Sequence, residues 1–594
     1  MNSIARRLGA RYVTVALLSI LVPSISASSH LSLADCTAPR VQALAPAGMV
    51  VAPITDANLD QGPNPTGALA VPAQDGFPAY CQVTGSVVTN PKTGKTANFG
   101  VLLPDNWNHK LLFEGCGGLC GVVFGGGFDA NAFANGYAMA ATDDGHVAIN
   151  SVFEAQWALI DTGKPDRDAI ADVSYRAVHT VTVSIKQLAQ NWYRHELSFS
   201  YFEGCSGGGR EGMVEATRYP EDFDGIIAGD PTFDYRARTI HLYGTVKGLL
   251  KSSNAYIDPS LLEVIDSKVK GECDALDGVE DGLIQNPARC GFRVESLLCH
   301  DGVPANCLSE DQVNLLRDYW DAAKDQRGYV AAFGAPVSDL AGSSFLVDFE
   351  SAGPPIDITT AEPWGDSPPT SWFAIDNILR YFVYRDSTFN SNADFPMDFF
   401  NSVTDSAIHQ VDKRTESLDG NEPEKLSQFL GGGHKLILYH GYSDGRVPPY
   451  DSIRFYEESA RLNGGLHELQ KGFRLFLPPG MHHCGGGPGP NSFDLLTPLE
   501  QWVENGVAPE AIPATKFVDD DPSMGIARTM PLCKFPEMAR YSGSGDVNDG
   551  RQWTCPSHDS SLLESGLDGE RAGLLGVVVP EKPPGKQKQS EEHR

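Results

Sequence analysis

The chain has 594 residues with a formal net charge of −30, 41% hydrophobic and 21% charged side chains. That length implies one large elaborated domain or several ordinary ones. So acidic a surface repels nucleic acid and anionic membranes, which excludes both as expected partners.

Residues 1–27 read as a secretory signal peptide. Arg6, Arg7 and Arg11 precede the apolar run YVTVALLSILV, and Ala27 closes a small-residue cleavage site. The run is too short to span a bilayer, so the expected location is extracellular. Twelve cysteines in an exported chain read as six disulfides. Proximity in sequence suggests Cys273 with Cys290, Cys299 with Cys307, Cys533 with Cys555 and Cys36 with Cys81, although spacing does not decide the pairing of Cys36, Cys81, Cys116 and Cys120.

Residues 28 to about 95 are rich in Pro, Ala and Gly with few periodic runs. Beyond them come short apolar runs that end in glycine-rich or polar loops: KLLFEG (110–115), GYAMAATDDG (136–145), LSFSYFEG (197–204), DGIIAGDP (224–231), HKLILYHG (434–441) and FRLFLPPG (473–480). Helix-length amphipathic stretches such as 174–193 lie between several of them. The alternation predicts an α/β fold with a mostly parallel sheet whose functional loops gather at the carboxyl ends of the strands. The rhythm breaks from 232 to 432, which reads as a large inserted lid domain. The flanking segments 28–231 and 433–560 then form the catalytic domain. The charged, proline-bearing tail 579–594 is expected to be disordered.

The segment GCSGGGREG (204–212) follows an apolar strand and matches G-x-S-x-G, the nucleophile elbow of α/β-hydrolases. Glycines two before and two after the serine leave room for a tight strand–turn–helix. A serine hydroxyl needs a base and the base an orienting carboxylate, in the chain order Ser, Asp or Glu, His. LILYHGYSDGRVPP offers Asp444, with Asp451 and His440 as competitors. RLFLPPGMHHCGGG offers His482 and His483.

Cys205 precedes Ser206, and Cys484 follows His483. Side chains in hydrogen-bonding reach bring their chain neighbours close, because successive Cα atoms are about 3.8 Å apart. A disulfide needs Cα atoms about 4.4–6.8 Å apart. A Cys205–Cys484 bond therefore fits and selects His483 over His482.

With GCSGGGREG, HGYSDGRVPP and MHHCGGGPGP together, and with FEGCGG, TDDGH, YRAVH and LEQWVENGVAP in support, the chain resembles the tannase and feruloyl esterase family across about residues 36–556. The resemblance implies an α/β-hydrolase core and a secreted ester hydrolase acting on small-molecule or plant-polymer esters of phenolic acids. It makes Ser206 the nucleophile, His483 the base and Asp444 its orienter. The loop EGCGGLCG departs from the plain glycines of the family. A local Cys116–Cys120 bond would stiffen it, with one oxyanion N–H expected from Gly117 or Gly118 and the second from Gly207.

CDALDGVEDGLIQNPARC (273–290) crowds carboxylates that repel one another unless a cation lies between them, and calcium suits an all-oxygen site. The resemblance carries Asp274, Asp277 and Asp281 over as ligands to a structural calcium, completed by the carbonyls of Val279 and Leu283. Two other readings compete: a serine carboxypeptidase-like hydrolase, which shares the triad order but lacks the Cys-Ser and His-Cys pairs, and a calcium-dependent carbohydrate-binding protein on an inactive hydrolase scaffold.

Overall fold

The structure is a computed structural model describing residues 31–556, apart from 55–63, 75, 126, 253, 300–305, 344, 351, 396 and 399–401. The expected signal peptide and the charged tail lie outside the described residues.

Each apolar run becomes a strand of one ten-stranded sheet. In chain order the strands are β1 (Met49–Val51), β2 (Ala68–Val71), β3 (Tyr80–Asn90), β4 (Lys95–Pro104), β5 (Lys110–Glu114), β6 (Ala138–Thr142), β7 (Phe199–Cys205), β8 (Gly225–Gly229), β9 (Lys435–Tyr439) and β10 (Phe473–Phe476). Their spatial order is β1-β3-β4-β6-β5-β7-β8-β9-β10, with β2 also pairing with β3. From β6 to β10 every pairing is parallel. The β1–β4 end is antiparallel, including the junction of β4 with β6.

This antiparallel end occupies the stretch that shows little periodicity in sequence. β3 is buried on both faces from Cys81 to Gly85 and alternates beyond, so the polar-apolar alternation that marks a half-exposed strand is missing from its first half.

The parallel half obeys period two with a core on each face. Phe202, Ile226, Leu436 and Leu438 point into one cluster, while Tyr201, Ile227 and Ile437 point into the other. Helix α1 (Ala177–Tyr193) covers the first face through Val178, Val181, Ile185, Leu188 and Trp192, spaced for one helical stripe. The helix Leu496–Asn505 covers the second face through Leu499 and Trp502.

Register then positions the chemistry. Cys205 pairs with Gly229, and Gly229 with Tyr439. The residues that follow, Ser206, Asp230 and His440, therefore leave three adjacent strands at one level.

After β8 the chain builds a second core. Helix α3 (Tyr235–Lys251) is buried around most of its circumference, as a central helix must be. Helices Glu310–Trp320, Thr370–Asn377 and Asp405–Thr415 enclose it. The cluster runs from Tyr235 to Leu418 and takes in Leu119, Ala155, Ala158 and Val173 from the sheet-bearing half. Trp372 and Phe382 are buried within it. Leu426 and Phe429 already pack in the first core.

Candidate active site

Ser206 stands between β7 and helix α2 (Gly207–Arg218) with φ 61° and ψ −114°. An L-residue pays steric strain there, and the surroundings must hold it in place. A Cβ on Gly204 would lie 2.7 Å from the backbone of Gly208, and one on Gly208 would lie 2.8 Å from that of Gly115. Only glycine fits at either flank, so the motif is a packing requirement.

His483 Nε2 lies 2.9 Å from Ser206 Oγ, and His483 Nδ1 lies 2.6 Å from Asp444 Oδ2. Asp444 is fully buried. Burial opposes its charge, but His483 and the hydrogen bonds from His440 and His483 outweigh burial and hold the carboxyl well below the usual range. An ionised carboxylate only accepts, so Nδ1–H donates to it and Nε2 is left to accept the serine proton. The N–H groups of Arg446 and Val447 donate to Asp444 Oδ1 at 2.8 and 3.0 Å and fix its plane.

The competing residues have other partners. Asp451 pairs with Arg454 at 2.7 Å. His440 is fully buried and engaged with Ser452 Oγ at 2.6 Å and the Val447 carbonyl at 2.7 Å. His482 Nε2 lies 2.6 Å from Asp339 Oδ2, which joins the histidine loop to the inserted region.

Cys205 and Cys484 are bonded, with Cα atoms 6.0 Å apart. The other bonds are Cys36–Cys81, Cys116–Cys120, Cys273–Cys290, Cys299–Cys307 and Cys533–Cys555.

Asp230 escaped the sequence reading, because an Asp followed by Pro after a strand reads as a turn former. Its Oδ1 accepts the Gly441 N–H at 2.6 Å and its Oδ2 the Cys484 N–H at 2.9 Å. Burial pushes this carboxyl up to about 6.

The glycine loop 115–121 lies against α2. Cys116 N–H donates to the buried Glu211 carboxylate at 3.0 Å. A Cβ on Gly207 would stand 2.4 Å from the Gly118 carbonyl. Gly118 lines the cavity at Ser206 together with Leu119, Phe153, Arg238 and Ile378. Gly117 instead caps the Cys116–Cys120 turn, its carbonyl accepting the Cys120 N–H at 3.1 Å. The cavity measures about 10 Å³, room for about one water.

In the acidic loop, Asp274 accepts the N–H groups of Asp281 and Gly282 at 3.2 and 2.8 Å. Asp277 accepts from Val279 at 3.0 Å and Asp281 from Leu283 at 3.1 Å. The remaining oxygens, Oδ2 of Asp277 and of Asp281, are buried without a hydrogen-bond partner. Arg528 approaches Asp281 Oδ2 at 3.2 Å, one positive charge against three carboxylates. The unpartnered Asp277 oxygen and the residual negative charge of the loop fit a hard cation. The loop also braces the catalytic loops. Leu283 Cδ1 lies 2.3 Å from where a Gly480 Cβ would be, and Tyr442 O–H donates to Asn286 Oδ1 at 2.9 Å.

A family model described as "Tannase and feruloyl esterase" matches residues 81–556. The chain is 31% identical to the probable feruloyl esterase B-2 of Aspergillus flavus, over 77% of this chain and 83% of that one. It is 30% identical to the mono(2-hydroxyethyl) terephthalate hydrolase of Piscinibacter sakaiensis, over 81% and 85%. Feruloyl esterase B from Aspergillus oryzae superposes with a TM-score of 0.68 at 25% identity, covering 86% of this chain and 95% of that one. The strand–elbow–helix geometry and these matches lead to one conclusion: the chain belongs to the tannase and feruloyl esterase family of carboxylic ester hydrolases.

Proposed function

We propose that the protein is a secreted serine esterase that cleaves esters of aromatic acids through Ser206, His483 and Asp444. The observation carrying this reading is the continuous relay Ser206–His483–Asp444, at 2.9 and 2.6 Å. Ser206 Oγ attacks the ester carbonyl carbon while His483 Nε2 takes its proton, and Asp444 stabilises the imidazolium. The carbonyl electrons move to an oxyanion placed against the N–H groups of Gly207 and Gly118. On collapse the C–O bond to the alcohol breaks, and His483 returns the proton to that oxygen. Water, deprotonated by His483, then releases the acid and regenerates Ser206.

The acyl class rests on the names of the relatives, which include feruloyl esterases and a terephthalate monoester hydrolase, and on a cavity walled mainly by apolar groups. Six disulfides support an oxidising compartment. No helix among the described residues is long and apolar enough to cross a membrane. Asp274, Asp277 and Asp281 would hold calcium, which supplies charge neutralisation to the loop and takes no part in the bond changes.

A fluorophosphonate probe tests the mechanism: it should label Ser206 alone, and labelling should vanish in Ser206→Ala. Initial rates on methyl gallate, methyl ferulate, methyl p-coumarate, a terephthalate monoester and a short aliphatic ester then rank the acyl class. A fastest rate on the aliphatic ester would remove the aromatic-acid assignment.

A further inference from the structure

His179 lies in the first turn of α1, Glu215 in the last turn of α2, and Asp222 in the short connection from α2 to β8. A ring nitrogen of His179 and one carboxylate oxygen from each acid all lie within 4.8 Å of one another. His179 Nδ1 is 2.5 Å from Asp222 Oδ2. The Tyr219 ring stacks on the imidazole with centroids 3.8 Å apart and fixes its plane. Both acids are buried, while the His179 side chain is 33% exposed and leaves the cluster a side open to solvent.

Glu215 is the member that the fold does not satisfy. It is 1% exposed, and its Oε2 has no hydrogen-bond partner. Burial, and then the neighbouring Asp222 charge, push its carboxyl well up. Lys186 is close, but its ammonium donates to the backbone carbonyl of Asp222, and its charge does not offset those two effects. A buried carboxyl with a bare oxygen beside a second carboxylate needs either a proton of its own or a cation. A retained proton involves the two acids alone. Here an imidazole converges on them as well, so three donors of two chemical kinds arrive from three separate segments. An imidazole nitrogen with two carboxylate oxygens and one solvent-facing position is a donor set for zinc. It differs in kind from the all-oxygen loop at 274–283.

We propose that His179, Glu215 and Asp222 form a zinc site, with His179 Nδ1 and one oxygen from each acid as ligands and water as the fourth. Zinc replaces the His179–Asp222 hydrogen bond and any proton on Glu215, because its ligands bind deprotonated. Glu215 stands eight residues beyond Gly207, about 12 Å along α2 at 1.5 Å per residue. The ion is therefore outside the ester chemistry. It ties the far end of the helix that starts at Ser206 to α1 and to the entrance of β8.

The test titrates zinc chloride calorimetrically into purified, untagged protein that has been stripped with a chelator and returned to calcium. Bound zinc is counted by elemental analysis, and melting is followed in parallel. One equivalent should bind, and the melting temperature should rise with zinc concentration. Glu215→Gln keeps the shape of the side chain, and His179→Gln alters a partly exposed one. Each should weaken zinc binding by about tenfold or more, since a lost ligand costs at least as much as a lost outer partner. Asp277→Asn should bind zinc as the wild type does. No bound zinc in the wild type, or binding unchanged in both Glu215→Gln and His179→Gln, would overturn the site and leave Glu215 as a carboxyl that keeps its proton. Anomalous scattering at the zinc edge from crystals of zinc-loaded wild type reads the position without any variant. A peak about 2.0–2.1 Å from His179 Nδ1 supports the site, and zinc found only at other residues overturns it.

Discussion

Asp230 Oδ2 accepts the backbone N–H of Cys484 at 2.9 Å, so a carboxyl at the end of β8 grips the residue directly after His483. Its other oxygen holds Gly441, three residues before Asp444. One buried side chain thus sets the spacing of the two loops that carry Asp444 and His483.

Asp230→Ala should therefore lose activity without touching the triad. It leaves two buried N–H groups unsatisfied, costing about 1–3 kcal/mol each. We expect reduced stability in chemical denaturation and a fall in kcat larger than the rise in KM. Asp230→Asn, which keeps one acceptor, should recover part of both. Unchanged kcat in the Ala variant would refute the positioning role.

Replacing Cys205 and Cys484 together by Ser removes a bond closing a 279-residue separation. A disulfide typically contributes about 2–4 kcal/mol, and more as the loop it closes lengthens. The expected result is a lower melting temperature and slower fluorophosphonate labelling of Ser206, because the hydroxyl–imidazole distance is no longer covalently enforced. Labelling at the wild-type rate would show that the remaining contacts suffice.

The two adjacent histidines should separate cleanly. His483→Ala and Ser206→Ala should each lower kcat by about 10⁴-fold or more, and Asp444→Asn by about 10⁴-fold. His482→Ala should instead lower stability by about 3–5 kcal/mol, since it strands the buried Asp339 carboxylate, with kcat much less affected. A collapse of kcat in folded His482→Ala protein would reverse the assignment.

Stability should fall as pH rises from mildly acid to mildly alkaline. Burial pushes Asp143 up to about 7 and Glu350 up to about 8. In the unfolded chain carboxyls titrate near 4. The fold therefore retains protons that the unfolded chain has lost, and each contribution disappears as pH passes upward through the folded value. His482 works in the same direction: Asp339 outweighs burial and raises it, so its contribution is also lost on the alkaline side. Asp444, held low, has the opposite sign, and its contribution is lost as pH falls below about 4. Melting temperatures should thus be higher at pH 5 than at pH 8.5, and Glu350→Gln should flatten the decline. A curve rising toward pH 8.5 would contradict these assignments.

Chelation should lower the melting temperature, and Asp277→Asn should mimic it, while kcat at low temperature changes little. The contacts of Leu283 with Gly480 and of Asn286 with Tyr442 predict that activity is lost at a lower temperature than in untreated protein. Immediate loss of turnover with an intact fold would place the ion in the chemistry.

The amino-acid sequence was sufficient to single out Ser206, Asp444 and His483 as candidates and to pair Cys205 with Cys484, because each candidate ends an apolar strand and two of them adjoin a cysteine. Those are local patterns, and a bond between neighbours of two side chains constrains the side chains themselves. The parallel half of the sheet was legible for the same reason. Asp230 and the His482–Asp339 pair were not. In the one-dimensional string Asp230 is a turn residue, and Asp339 an acid in a loop more than a hundred residues from its partner. Their roles come from register, burial and the partners that the fold brings to them. Strand pairing and packing between distant segments decide these, and no local spacing encodes them.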